Sequence, residues 1–268
     1  MGRCVRRIVM GLLLAVFLFS AGSIAVLQRR YQADERFYAD AARQYVFAGA
    51  DGSRQDNYMT GTNQTAGTSL AAGTGAVETA PIRVDFERLQ SVNSDVAGWI
   101  YCEGTAINYP VLMGTDNDIY LDRNYEGGYS KAGSIFVDAA NRQNFADANT
   151  IIYGHHMKDG SMFASLQDWL EQEFYEEHPV MWLLTPEQDY KVVLFSGYVE
   201  SAYADTYTIY TGPGEKFADY LERCAGKSAF HADIELDKNG CYVLLSTCAY
   251  MFDNARYVLH GMLVPVER

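Results

Sequence analysis

The stretch GCYVLLSTCAYMFDNARYVLHGMLVPV, residues 240–266, decides the fold of this chain. It contains an apolar run of strand character over 241–247, a short turn, and a second apolar run that starts near Arg256. Two such runs on either side of a short connection predict an antiparallel pair of strands. That pairing would place Cys248, at the end of the first strand, and Arg256, at the start of the second, at the same end of a sheet.

Further strand-like and helical segments precede this pair, and clusters of Gly, Asn and Asp separate them. The predicted strands are 98–104, 106–112, 133–139, 149–154 and 190–201. The predicted helices are 84–93, 161–178 and 214–226. The helix at 161–178 would have Asp159 or Ser161 as its cap and one apolar face, formed by Met162, Leu166, Trp169, Leu170 and Phe174. Many short strands without long parallel βαβ alternation predict a mainly β fold, a closed or nearly closed β-barrel with accessory helices.

The N-terminus carries an uncharged apolar run from Ile8 to Leu27. Twenty helical residues span roughly 30 Å, the thickness of the hydrocarbon core of a bilayer. The run therefore predicts a transmembrane signal-anchor at 8–27, and the arginines before it favour a cytoplasmic segment at 1–7. A secretory signal that is cleaved among the small residues at 21–25 is the alternative. Both interpretations export the rest of the chain.

Two segments connect this span to the strands. Residues 28–47 have helical character and predict a juxtamembrane helix. Residues 48–81 are rich in Gly, Thr, Ala, Ser and Asn, and such a segment buries too little apolar surface to offset its chain entropy. It is therefore predicted to be a flexible linker, with the folded domain at 82–268.

The charge of the chain excludes one class of partner. The chain has 21 basic and 34 acidic residues, a formal net charge of −13, and five of the basic residues fall within the first thirty positions. The remainder is more acidic still and would repel a phosphate backbone. Nucleic acid is therefore not an expected partner.

The cysteines have two interpretations. Cys102, Cys224, Cys241 and Cys248 follow the apolar run, and four exported cysteines are enough for two disulfides. A body of this size needs no such cross-links, however, and the first three lie in strand or helix patterns typical of small buried residues. Cys248 differs because it ends a strand.

A third candidate for chemistry lies in NTIIYGHHM, residues 149–157, where His155 follows the end of a strand. Convergence of His155 with Cys248 and Arg256 at one rim would create an acyl-transfer centre. The thiolate would attack a carbonyl, the imidazole would transfer protons, and the cation would stabilise the oxyanion. Each residue also has a purely structural interpretation: a buried thiol, a loop histidine, a surface charge. Spacing alone leaves the function open.

Several ordered motifs make a more specific case. The chain resembles the sortases, the membrane-anchored cysteine transpeptidases of Gram-positive bacteria, and among them class B. The resemblance runs from about Leu89 to Val266. It rests on DVAGWIYCEGTAINYPVLMGTDNDIYL (95–121), GSIFVD (133–138), NTIIYGHHMKDGSMFASL (149–166), LLSTCAY (244–250) and NAR (254–256).

This resemblance implies an eight-stranded barrel and a catalytic set of His155, Cys248 and Arg256. His155 is chosen over His156 because the family's catalytic histidine directly follows the glycine. The resemblance also implies a peptide groove lined by Asn117, Leu121, Tyr153, Tyr207 and Ser246. Ala249 departs from those class B members that have an acidic residue directly after the nucleophile. No metal or organic cofactor is implied.

The resemblance further implies the reaction and its location. A secreted protein would be cleaved after Thr in a C-terminal sorting motif through a Cys248 thioester, on the outer face of the cell membrane. A cell-wall (peptidoglycan) precursor would then supply the accepting amine. Two alternatives stay open: a pilus-assembling sortase that uses a pilin lysine, and a non-catalytic surface-binding module on the same scaffold.

Overall fold

The computed structural model describes residues 3–49 and 78–268. The chain forms two units, Met1–Ala41 and Ala42–Arg268. Its first helix, α1, runs over Arg3–Tyr45, and the part at Met10–Tyr45 has the length and apolar composition to cross a membrane. It is the one helix among the described residues that is long and apolar enough to cross a membrane.

Two short strands follow the end of α1 in the second unit. The predicted juxtamembrane helix ends two residues early, because β1 (Val46–Ala48) pairs antiparallel with β2 (Ile82–Val84). Ala48 at the start of the predicted linker belongs to β1, and the Gly49 N–H donates to the carbonyl of Pro81 at the linker's other end, at 2.9 Å. Residues 50–77 lie outside the described residues. Helix α2 (Phe86–Val92) follows and confirms the helix expected at 84–93; the Asp85 carboxylate caps it by accepting from the Arg88 N–H at 3.0 Å.

Eight strands close into a barrel, as predicted. Five of the predicted strands correspond to β3 (Val96–Tyr101), β4 (Asn108–Leu112), β5 (Ile135–Val137), β6 (Asn149–Tyr153) and β8 (Asp189–Ser201). The predicted C-terminal pair corresponds to β9 (Cys241–Cys248) and β10 (Ala255–Val266). The barrel strand that sequence analysis missed is β7 (Val180–Leu184); it also missed the short strands β1 and β2 outside the barrel. The order around the barrel is β10-β8-β7-β3-β4-β5-β6-β9, with parallel pairing in β4–β5 and β6–β9.

The single helix predicted at 161–178 is wrong. The structure has a 3₁₀ helix at Ala164–Leu170 and then α3 at Gln172–Glu177, because Glu171 between them is extended, with φ −97° and ψ 130°. Asp159 and Ser161 do not cap either helix; the Asp159 carboxylate instead accepts from the Ser161 N–H and hydroxyl.

Helix α4 (Glu215–Lys227) confirms the helix predicted at 214–226 and packs on the outside of the barrel. Its apolar face, which includes Phe217, Tyr220 and Cys224, is buried in one cluster with side chains of β8, β9 and β10. Between β8 and α4 lies a 3₁₀ helix at Asp205–Tyr207, and Tyr207 packs against the edge of the same cluster. The cluster therefore connects α4 to the end of the barrel where β9 finishes.

Candidate active site

A groove of about 400 Å³ opens at the rim of the barrel where β6 and β9 end and β10 begins. The structure places all eight residues singled out from the sequence on its lining: Asn117, Leu121, Tyr153, His155, Tyr207, Ser246, Cys248 and Arg256. Sequence analysis missed four further lining residues: Phe136, Gly154, Ala202 and Thr247.

The pairing of β9 with β10 brings the thiol and the guanidinium to the same place. Cys248 lies directly opposite Arg256 in the antiparallel register, so both side chains project from the same face of the sheet. The Arg256 guanidinium donates to the Ala255 carbonyl at 3.0 Å, which holds it beside its own strand. Both residues are half-buried, so the groove leaves the thiol accessible.

The other cysteines of the described residues are in a different environment. Cys102, Cys224 and Cys241 are free, as is Cys248, so none of them forms a disulfide. Burial raises the pKa of the Cys102 thiol to about 12, and burial also raises the pKa of Cys224 and of Cys241. A thiol with a raised pKa is a poor nucleophile at neutral pH. Of the described cysteines, only Cys248 lines the groove.

His155 enters the groove because the chain makes a close exit from β6. A Cβ atom on Gly154 would lie 2.5 Å from the Ile135 side chain and 2.6 Å from the Phe163 ring, so only glycine fits here. The Nε2 atom of His155 lies 2.7 Å from the Leu121 carbonyl oxygen. A carbonyl only accepts, so Nε2 carries the proton, and Nδ1 is the nitrogen that can exchange one with a substrate.

Two tyrosines and a serine form the wall of the groove. Tyr153 and Ser246 are opposite each other in the β6–β9 pair, and the hydroxyls of Tyr207 and Ser246 lie 2.8 Å apart. The two tyrosine rings stack with centroids 6.4 Å apart. Burial raises the pKa of Tyr207 to about 12, and burial together with the charge of Asp138 raises the pKa of Tyr153. Both phenols therefore stay protonated at neutral pH. The Tyr153 hydroxyl donates its one hydrogen to Asp138, whereas the Tyr207 hydroxyl can donate to a peptide carbonyl while it accepts from the Ser246 hydroxyl.

Asp138 organises this wall from behind, and sequence analysis missed it. Its side chain is buried, with 8% of the residue exposed, and its Oδ2 accepts from the Tyr153 hydroxyl at 2.8 Å and from the Asn117 amide at 3.1 Å. The Ala139 N–H donates to the other end of the Asn117 amide, at 2.8 Å. The available signal was a carboxylate directly after the apolar strand β5.

Two neighbours of the candidate residues lie outside the groove lining. The His156 ring contacts the Tyr250 ring edge-on, with centroids 5.2 Å apart, and is not part of the groove lining. Ala249 is buried, and its N–H donates to the Ala255 carbonyl at 2.9 Å. An accessible thiol, an imidazole and a fixed cation on one lining are together the groups that acyl transfer through a thioester requires.

Sortase B proteins are similar to this chain in sequence and in structure. It is 38% identical to Sortase B of Listeria monocytogenes over 187 residues, which are 68% of this chain and 75% of that protein. A Staphylococcus aureus sortase B–substrate complex matches with a TM-score of 0.64 and 32% identity, over 68% of this chain and 85% of that one. A sortase B structure from Bacillus anthracis matches with a TM-score of 0.69 and 31% identity, over 88% and 99%. No protein-family model matches the chain.

Proposed function

We propose the reaction of this chain from its family: the chain belongs to the sortase B family of cysteine transpeptidases. It cleaves a C-terminal sorting motif of secreted proteins after Thr and transfers the acyl group to an amine of a cell-wall precursor. The observation that carries the proposal is the common groove of His155, Cys248 and Arg256. The similar sortase B of Staphylococcus aureus has been solved in complex with a substrate, which supports a peptide as the occupant of the groove.

In the proposed first step the Cys248 sulfur, as thiolate, adds to the carbonyl carbon of the threonine. The oxygen becomes an oxyanion, and the guanidinium of Arg256 stabilises it. The carbon–nitrogen bond then breaks, and the leaving amine takes a proton from the imidazolium of His155. The product is a thioester on Cys248 and a free C-terminal peptide.

In the second step the accepting amine gives a proton to the neutral imidazole of His155 and attacks the thioester. The thiolate leaves, a new amide bond forms, and the catalytic groups return to their starting charges. The residues that would hold the peptide are Asn117, Leu121, Tyr153, Tyr207 and Ser246.

The location is proposed from the apolar helix. Residues Met10–Tyr45 of α1 have the length and composition to span a bilayer, which supports an anchor in the cell membrane. With residues 1–7 in the cytoplasm, residues 82–268 would act on the outer face, where secreted proteins and wall precursors meet.

The proposal is tested by cysteine substitutions in the full chain in detergent micelles. Cys248→Ala should abolish cleavage of sorting-motif peptides while the circular dichroism spectrum stays unchanged. The matched controls Cys102→Ser and Cys224→Ser remove buried thiols and are expected to lower stability but to keep the cleavage chemistry. Cleavage by the Cys248→Ala protein at a rate near that of the wild type would contradict the proposed nucleophile.

A further inference from the structure

The strand that carries Cys248 loses one of its neighbours just before that residue. Strands β6 and β9 pair in parallel as far as Tyr153 and Ser246. The last bond on this side runs from the Gly154 N–H to the Ser246 carbonyl, at 3.1 Å. The chain from β6 then departs towards His155. The parallel ladder therefore ends two residues short of Cys248.

A side chain from another element takes the place of the missing ladder. The Nε2 of Gln167 donates to the Cys248 carbonyl at 3.2 Å and also lies 3.4 Å from the Nδ1 of His156. An amide nitrogen only donates and has two hydrogens, so it can bond both groups, with Nδ1 as the acceptor. One amide group thus connects the main chain of the nucleophile to the residue that follows His155.

The element that carries Gln167 is firmly held. Gln167 belongs to the 3₁₀ helix Ala164–Leu170, in which Leu166 and Trp169 are fully buried. The Trp169 ring N–H donates to the His178 carbonyl at 2.9 Å, and the Phe163 N–H just before the helix donates to the His155 carbonyl at 3.0 Å. Packing fixes the position of this helix, so a side chain on it can hold the groups it bonds, the Cys248 carbonyl and the His156 ring, at a constant separation.

We propose that Gln167 is a positioning residue that sets the separation of the His155 imidazole from the Cys248 thiol. The inference rests on the proposed function, since it concerns proton and acyl transfer between these two groups. Proton transfer needs heavy atoms within hydrogen-bond reach. Displacement of a reacting group by about 1 Å can lower a rate about 10²-fold, so partial loss of this connection should cost about tenfold.

The test compares two glutamines in the full chain in detergent micelles. Gln167→Met keeps the length and volume of the side chain but removes the donor. Gln172→Met is the matched control, because Gln172 likewise bonds main chain: it accepts from the His231 N–H at 2.7 Å and donates to the His231 carbonyl at 3.2 Å. Steady-state cleavage of one sorting-motif peptide, the melting temperature and the rate at which iodoacetamide alkylates Cys248 are measured for each.

Gln167→Met should lower kcat about tenfold with KM unchanged. It should also slow the alkylation of Cys248, because the imidazole of His155, which takes up the thiol proton during alkylation, would be displaced from the sulfur. Gln172→Met should lower the melting temperature by about as much as Gln167→Met does, but it should leave kcat and the rate of Cys248 alkylation unchanged. Gln167→Glu, which keeps the shape but replaces the donor with an acceptor, should behave like Gln167→Met. It also serves as the test if the methionine variant does not fold.

The proposal is overturned if kcat stays at the wild-type value in both Gln167 variants, if KM rises while kcat does not change, or if the Gln172 control loses as much kcat as they do. Wild-type protein that cleaves no peptide would instead refute the proposed function. In that case the alkylation rates still decide whether Gln167 positions the thiol.

Discussion

Acid should destabilise this fold through one buried histidine, His260 in β10. The residue is 1% exposed, its ring stacks on that of Tyr198 with centroids 5.5 Å apart, and its Nε2 lies 3.1 Å from the Tyr220 hydroxyl. Its Nδ1 is buried without a partner. Burial lowers the pKa of His260 from 6.5 to about 3, because the charged imidazolium would lose its hydration in this cluster.

The sign and size of the effect follow from these two pKa values. Between pH 6.5 and pH 3 the unfolded chain binds a proton at His260 and the folded chain does not. The contribution of this residue to stability is therefore complete above pH 6.5 and is lost as the pH falls towards 3. Each pH unit in that range costs about 1.4 kcal/mol, so the free energy of unfolding should be about 2 kcal/mol lower at about pH 5 than at about pH 8.

The assay is urea unfolding at these two pH values, for the wild type, for His260→Gln and for the exposed control His231→Gln. Asp168 and Asp189, whose pKa values burial raises, give a pH dependence of the opposite sign. Both aspartates are present in all three proteins, so their contribution cancels when the free energies of unfolding of two of these proteins are subtracted. His260→Gln should lose less stability on acidification than the wild type, by about 2 kcal/mol. Equal losses in all three proteins would refute the burial argument.

Three further predictions concern the groove and the anchor. Arg256→Ala should lower kcat/KM by about 10²–10³-fold, as for loss of an oxyanion donor. Arg256→Lys keeps the charge but not the planar guanidinium, so it should recover only part of the lost kcat/KM. A kcat/KM near that of the wild type in the alanine variant, measured on the same peptide, would remove Arg256 from the catalytic set. Asp138→Ala removes the acceptor shared by Tyr153 and Asn117 and should raise KM for the peptide more than it lowers kcat, whereas an unchanged KM would contradict its role in the groove wall. Removal of residues 1–30 should give a protein that stays in solution without detergent and still cleaves peptide, and a truncated chain that aggregates or fails to fold would contradict the proposed division of the chain.

The barrel could be predicted from sequence because its strands carry their own signals. The apolar runs of β9 and β10 and their short connection indicated the hairpin, and the hairpin alone brought Cys248 next to Arg256. Strand β7 was missed because its five residues, VMWLL, follow directly on a helical pattern and have no polar alternation. Both strand and buried helix fit such a short run.

The helix predicted at 161–178 failed for a related reason. Its apolar spacing was real, and Leu166 and Trp169 are buried as expected. Tertiary contacts nevertheless decide the backbone: Met162 has a positive φ of 58°, and Glu171 is extended. Neither residue is one that marks such a position in a sequence, so periodicity alone gave a single helix.

The site was only partly visible in the sequence. Strand ends indicated His155, Cys248 and Arg256, and the family resemblance supplied the groove residues, including Tyr207, which reaches Ser246 from 39 positions away. Asp138 had one local signal, its position directly after β5, whereas Gln167 had none. The partners of both residues come from distant parts of the chain that the closed barrel brings to them, so no local pattern predicts these contacts.

The most direct test of the account is a search for the acyl-enzyme on Cys248. The wild-type chain in detergent micelles would be mixed with a library of sorting-motif peptides, quenched in acid and digested for mass spectrometry. The account predicts that the peptide containing Cys248 gains the mass of the substrate up to its threonine, and that hydroxylamine, which attacks thioesters, removes the adduct. Cleavage of the library without any adduct on Cys248, or an adduct that persists in the Cys248→Ala protein, would contradict it.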